Sequence, residues 1–348
     1  MGQRITNKEY NHLNVLRASE ILFTWANMFH SLNENDRLSM IQKLAYARQA
    51  LGLFQHHDGI TGTAKDAVVV DYSNRLLKAT NYSLEMAATL ITKMYHLRNP
   101  ITPLETRSSI SKPLTMQVLK LTHPKQVILY NPLGWGTKRS VRIVTSSPEV
   151  KILDVNGAIV SCQANLVFSP TDGSLRSHEY EIVWIAHLLP LTVTSYTIEP
   201  DTSAASCVLS SLEVMYGTPP SVEGYPFKVS TVTPREFSIS TSSMNLSFSN
   251  SAFLLKANDF IKKKSFQISN SFRSFGVRTT KQKSGAYLFL PDGDSKLKAT
   301  IPSYSRTIRG PLQSSVAVGV GTPYNSVCIG FFSLASLIIY TYTTCADC

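Results

Sequence analysis

"QHHDGITGT", Gln55 to Thr63, is the stretch on which the reading of this chain turns. Its nine residues hold two adjacent histidines, an aspartate, two glycines and two threonines, and they interrupt a pattern that otherwise reads as helix. Imidazole and carboxylate groups are common zinc ligands. Adjacent histidines on a helix point about 100° apart, so both rarely reach one metal. In a loop, one can ligate while the other packs or orients it. Gly59 and Gly62 let the backbone approach a ligand closely. On residue types alone the stretch also fits a plain helix–loop–helix corner, with Asp58 or Thr63 capping and the histidines partly buried. An HHD triplet lacks the ligand count that a zinc site needs.

Working outward, residues 9–30 and 35–53 read as two helices. In the second, Leu38, Ile41, Leu44, Ala45 and Gln49 with Leu51 give a period near the helical repeat. After the break, Thr63 with Asp66 three residues on resembles a capping box, although Glu or Gln is the usual partner. A third helix then runs to about Tyr95, with Val69, Tyr72, Leu76, Leu84, Ala87, Ile91 and Met94 as its apolar stripe. Asp66 and Asp71 on that helix are expected to face solvent. Beyond Pro100, Pro103 and Pro113 the character changes. Short β-rich runs follow, such as "QVILYNPLGW", "RSVRIVTSS", "YEIVWIAHLLP" and "TVTSYTIEP". The Asn156-Gly157 pair is a hairpin signal. The Ser-rich run "FSISTSSMNLSFSNS" alternates and reads as strand. The expected fold class is therefore α+β and multidomain: a three-helix bundle over 1–99, a linker over 100–114, an antiparallel β-sandwich-like domain over 115–325, and an apolar tail over 326–348.

The chain has 348 residues, 43% of them apolar and 16% charged, with a net charge of +11. That composition predicts an ordered chain. The positive balance raises nucleic acid or an anionic membrane surface as partners. The basic residues are scattered, however, with one tight cluster at Lys262, Lys263 and Lys264, and no nucleic-acid-binding motif accompanies them. No nucleic-acid partner is expected. The five cysteines include one CxxC spacing, Cys345 and Cys348 at the end of the chain; a Cys162–Cys207 disulfide is permitted but not decided by the sequence. Asn81 and Asn245 sit in N-x-S sequons. "MGQRITNKEY" does not read as a signal peptide. The uncharged stretch Val327 to Thr344 is marginal in length for a membrane span, and fits a buried strand pair or a mis-spliced tail as well.

Extended on both sides, "LGLFQHHDGITGTAKDAVVVDY" resembles the hallmark segment of the class II α-mannosidases, glycoside hydrolase family 38, and most of all their Golgi α-mannosidase II branch. The family form is usually QHHDAITGT, so Gly59 stands here for an alanine. "RTTKQKSGAYLFLPDG", Arg278 to Gly293, resembles the same branch. The likeness is strong in these two islands and the helices around the first, patchy from 100 to 270, and absent after about 310.

The resemblance implies that His57 ligates zinc, that Asp58 contacts sugar hydroxyls and that Tyr287 reaches into the sugar site. It leaves His56 a structural or orienting role. Without it, Tyr287 reads as an ordinary half-buried strand residue. It also implies a zinc cofactor, an N-glycan mannose substrate and residence on the lumenal side of the Golgi membrane, with any membrane anchor lying outside this chain. Retaining glycosidases need two carboxylates about 5 Å apart. In the family these, and the remaining zinc ligands, belong to an N-terminal α/β domain whose HxD motif has no counterpart here. The chain is therefore expected to be a fragment of a zinc-dependent retaining α-mannosidase, without catalytic nucleophile or acid and inactive alone. The alternative is a non-catalytic carbohydrate-binding protein or truncated paralogue.

Overall fold

The structure is a computed structural model. It describes residues 2–30, 32–97, 100–103, 105–106, 115–169, 173–201, 203, 207–241, 244–271, 273–278, 285, 287–297, 301–319 and 326–332. The class is α+β. Four helices come first: α1 (Gly2–Phe29), α2 (Glu34–Phe54), the single turn α3 (His57–Ile60) and α4 (Asp66–Met94). Antiparallel-rich sheets make up the rest.

The three long helices share one core. Leu16, Leu22 and Ala26 of α1 meet Met40, Leu44, Ala47 and Ala50 of α2, and Ala79, Met86, Leu90 and Ile91 of α4. Small residues let α1 and α4 approach closely, and the buried Ser19 hydroxyl donates to the Ser83 carbonyl at 2.8 Å. Two sequence expectations shift. Leu38 and Ile41 of α2 lie outward, because the buried face follows Met40, Leu44, Ala47, Ala50 and Phe54. The residues between Gln55 and Asp66 do not cap α4 through Thr63 either. Lys65 holds the N-cap position with no side-chain bond, while Thr63 turns back to Asp58. The side-chain cap falls instead on α2, where Asn33 Oδ1 accepts from the Asp36 amide. Asp71 pairs with Arg75 one turn on, at 2.7 Å, on the exposed side.

Residues 107–114 of the proline-rich segment lie outside the described residues; its flanks pair, Glu105–Thr106 against Thr115–Met116. Lys125–Tyr130, Val193–Pro200, Val150–Leu153 and Ile159–Val160 form a four-stranded antiparallel sheet in that order. Its Ile128, Tyr130 and Val193 pack on the helical core. Asn156 and Gly157 turn the chain between Val150–Leu153 and Ile159–Val160, with Gly157 at φ +77° and the Asp154 carboxylate accepting from the amides of Asn156 and Ala158. A five-stranded sheet faces this one, centred on Leu175–Leu188. Between them lies the largest core, with Ile143, Val150, Ile152, Ile182, Trp184 and Ile198 fully buried. A Cys162–Cys207 disulfide closes its edge.

A third sheet carries Ser211–Tyr216, Tyr304–Arg309, Gln313–Gly319 and Ser326–Phe332 as consecutive neighbours. Thus the start of the apolar tail is a strand; residues 333–348 lie outside the described residues. The Ser-rich run forms the hairpin Phe237–Ser240 with Met244–Phe248, which continues through Leu254–Asp259 to Lys264–Gln267 at the sheet edge. Asn81 is exposed on α4, and Asn245 lies on a strand with its amide donated to Ser240. No helix among the described residues is long and apolar enough to cross a membrane.

Candidate functional site

The break between α2 and α4 is held from below. Phe54, the last residue of α2, is fully buried against Tyr72, Val69 and Leu76 of α4, with the Phe54 and Tyr72 rings edge to face at 5.8 Å. Gly59 is buried over this cluster, where a Cβ would stand 2.6 Å from the Phe54 carbonyl oxygen and 3.3 Å from the Tyr72 ring. The turn can sit so low on the helices only because that residue has no side chain.

With the turn seated in this way, the polar residues face outward. His56 is extended (φ −50°, ψ 139°) and His57 begins α3. The 100° divergence expected of adjacent helical histidines does not apply, because only the second is helical. Their rings come within 4.1 Å, tilted by 47°. Both reach the same oxygen: His56 Nε2 is 3.4 Å and His57 Nε2 3.6 Å from Asp58 Oδ2. One donor atom from each of the three residues lies within 4.8 Å of the others. The His57 side chain is 80% exposed and that of Asp58 only 28%.

The other carboxylate oxygen is already occupied. Asp58 Oδ1 accepts from the Thr63 hydroxyl at 2.8 Å and from the Tyr287 hydroxyl at 2.5 Å. Thr61 braces the turn, sharing a hydroxyl contact with Thr63 at 2.9 Å and donating to the His57 carbonyl. These donors hold the Asp58 carboxyl below the usual carboxylate range, Tyr287 first and Thr63 second; desolvation opposes them, and the neighbouring histidines add lesser contributions in the lowering direction.

Tyr287 arrives from 229 residues away. It rides on a second island whose two sides are tied by Arg273–Ser274 against Lys296–Leu297, the Val277–Pro291 bridge, and the Asp292 amide on the Gly276 carbonyl. The Gly285 amide donates to the Leu288 carbonyl and closes the turn that presents Tyr287. The ring itself is 77% exposed, so its hydroxyl and not its packing locates it. The structure thus brings His57, Asp58 and Tyr287 together. It adds His56 and Thr63, to which residue-type reasoning gave supporting or capping roles. Nothing in the local sequence marks Thr63 as a partner of Asp58 rather than a cap.

Imidazole and carboxylate suit zinc, and three donors this close could share one ion. A closed tetrahedral site needs a fourth, so the trio fits an open or shared site.

Residues 3–94 match the family model described as "Alpha mannosidase middle domain". "Alpha-mannosidase 2" of Homo sapiens is 32% identical over 317 residues, covering 86% of this chain and 27% of that protein. "Alpha-mannosidase 2x" of Mus musculus is 32% identical over 327 residues, covering 87% and 28%. The chain therefore spans little more than a quarter of the length of these relatives. A solved glycosyl hydrolase family 38 protein from Enterococcus faecalis aligns at TM-score 0.49 and 13% identity, over 89% of this chain and 35% of that one.

Proposed function

We propose that this chain, which belongs to the class II α-mannosidases of glycoside hydrolase family 38, carries one wall of the sugar and zinc site of a retaining α-mannosidase that trims terminal α-mannose from N-glycans in the Golgi lumen. The observation that carries this reading is the meeting of two distant segments at one carboxylate: His57 and Asp58 from the helical region, Tyr287 from the β-rich region. Both segments are the ones that resemble the family. The Cys162–Cys207 disulfide suits an oxidising secretory compartment. In this reading residues 1–99 form the family's helical middle domain, 100–114 link it to the β-sandwich-like domain of 115–325, and 326–348 lie outside the likeness.

Each residue has a definite task. His57 offers its exposed Nε2 as a metal ligand. Asp58, kept ionised, accepts hydrogen bonds from sugar hydroxyls. Tyr287 donates to Asp58 before a sugar binds, and its exposed ring is free to share that hydroxyl with the substrate. Bound zinc would supply a template that holds and polarises sugar hydroxyls. Thr61 and Thr63 keep the turn rigid, so the acceptor is in place before the substrate arrives. Hydrolysis with retention requires a nucleophile and a separate acid/base about 5 Å apart. Asp58 is the one carboxylate in the described cluster, so the 348-residue chain alone should not turn over an α-mannoside.

Metal analysis after equilibration with Zn²⁺ tests the ligand assignment. His57→Ala should lose the bound zinc, and His56→Ala should keep most of it. Equal zinc in His57→Ala and the parent chain would remove His57 from the metal site. The same single-carboxylate observation supports a second reading, a carbohydrate-binding protein without catalysis. It is favoured if mannose binds this chain with zinc present and no longer protein from the same gene hydrolyses mannosides.

A further inference from the structure

We propose that the hairpin tip Phe260–Lys264 is a contact surface for an anionic phospholipid bilayer, separate from the sugar site and independent of the function proposed above. The tip joins Leu254–Asp259 to Lys264–Gln267, with Asp259 opposite Lys264. It places Phe260 (51% exposed) and Ile261 (72% exposed) beside Lys262, Lys263 and Lys264, all of them exposed. Two large apolar side chains side by side in water gain nothing where they are.

The tip is built to stay in this form. Asp259 Oδ1 accepts from the amides of Ile261 and Lys262 at 3.0 and 2.9 Å, which locks the turn and uses the one acid in it for the backbone. Lys263 adopts a left-handed conformation at φ +51°, a strained choice for a lysine where glycine would serve. At its base the hairpin is anchored in a packed core through Leu254 and Ala257, against Leu246 and Phe248. None of the three lysines forms an ion pair among the described residues, so their charge is available to a partner. The chain's net charge of +11 adds attraction toward an anionic surface.

Lysines alone would serve any polyanion. The apolar pair decides between partners. A soluble polyanion can at most stack a base on the Phe260 ring and gives Ile261 no apolar medium to enter, whereas a bilayer accepts both side chains at the level of the headgroups while lysines meet the phosphates. The contact is peripheral: a four-residue turn reaches the headgroup region and cannot span the hydrocarbon core.

Vesicle flotation of the full 348-residue chain tests this. Phosphatidylcholine vesicles containing phosphatidylserine should carry the chain upward, and pure phosphatidylcholine vesicles should not. Neutralising Lys262→Gln or Lys263→Gln should each weaken binding about fivefold, and the Phe260→Ser/Ile261→Ser pair should abolish it with thermal unfolding unchanged. Absence of binding to the anionic vesicles overturns the proposal. So does undiminished binding of Phe260→Ser/Ile261→Ser, which would mark the lysines as a site for a soluble polyanion.

Discussion

The two sides of the Asp58–Tyr287 contact are secured in opposite ways. The helical side is fixed from beneath: Phe54 is fully buried, Gly59 rests on its carbonyl, and Asp58 follows from that seating. The hairpin side is fixed by backbone pairing alone, at the Val277–Pro291 bridge and between Arg273–Ser274 and Lys296–Leu297, and its ring has little packing of its own. A site made this way has one rigid acceptor and one adjustable donor. The rigid part sets where a sugar hydroxyl must sit, and the adjustable part can follow it.

The contrast breaks most severely if the rigid side loses its support. Phe54→Ala should cost about 3–5 kcal/mol, as large core deletions do, and should disorder the 55–63 turn; urea unfolding and proteolysis of that turn would read both effects. A smaller loss is expected from Gly59→Ala. Helix propensity alone favours alanine by about 1 kcal/mol. A Cβ at 2.6 Å from a backbone oxygen outweighs that, since overpacking costs about 1–3 kcal/mol. The net should be destabilisation, although the family form carries alanine here. A rise in melting temperature would show that the turn relaxes away from Phe54 freely.

Tyr287→Phe sharpens the comparison from the other side. It should leave global unfolding unchanged, because the ring is exposed. Its effect should appear at Asp58, whose carboxyl should climb back toward its ordinary range once its main donor is gone. The sign follows from linkage. A carboxyl lowered in the folded state stabilises the contact above its ordinary range, and that stabilisation is lost as pH falls through the lowered value. In the parent chain the hairpin should therefore undock from Asp58 only under acid conditions, and in Tyr287→Phe no such transition should exist. Carboxyl-carbon NMR titration of Asp58 checks both. The smallest effect is expected from Thr63→Val, which removes the second donor and leaves Tyr287 in place; an Asp58 shift larger than that of Tyr287→Phe would reverse the order of the two.

Much of this was legible in the chain itself. Periodic apolar residues marked α2 and α4, Asn156-Gly157 marked its turn, and alternation marked the Ser-rich run as strand, because each depends on neighbours a few residues away. The two islands named His57, Asp58 and Tyr287 as site candidates through their resemblance to a family, not through spacing or composition. Which face of α2 would be buried was not readable, since Leu38 and Ile41 are as apolar as the residues that won. Burial there depends on which positions meet α1 and α4. The Cys162–Cys207 bond was permitted but undecided until residues 45 apart in sequence were set side by side. The Asp58–Tyr287 contact spans 229 residues, and Thr63 could equally have capped a helix. Local chemistry chose the elements. Only tertiary packing decided which polar groups met, because a hydrogen bond depends on position to within a few tenths of an ångström and the sequence does not carry that position.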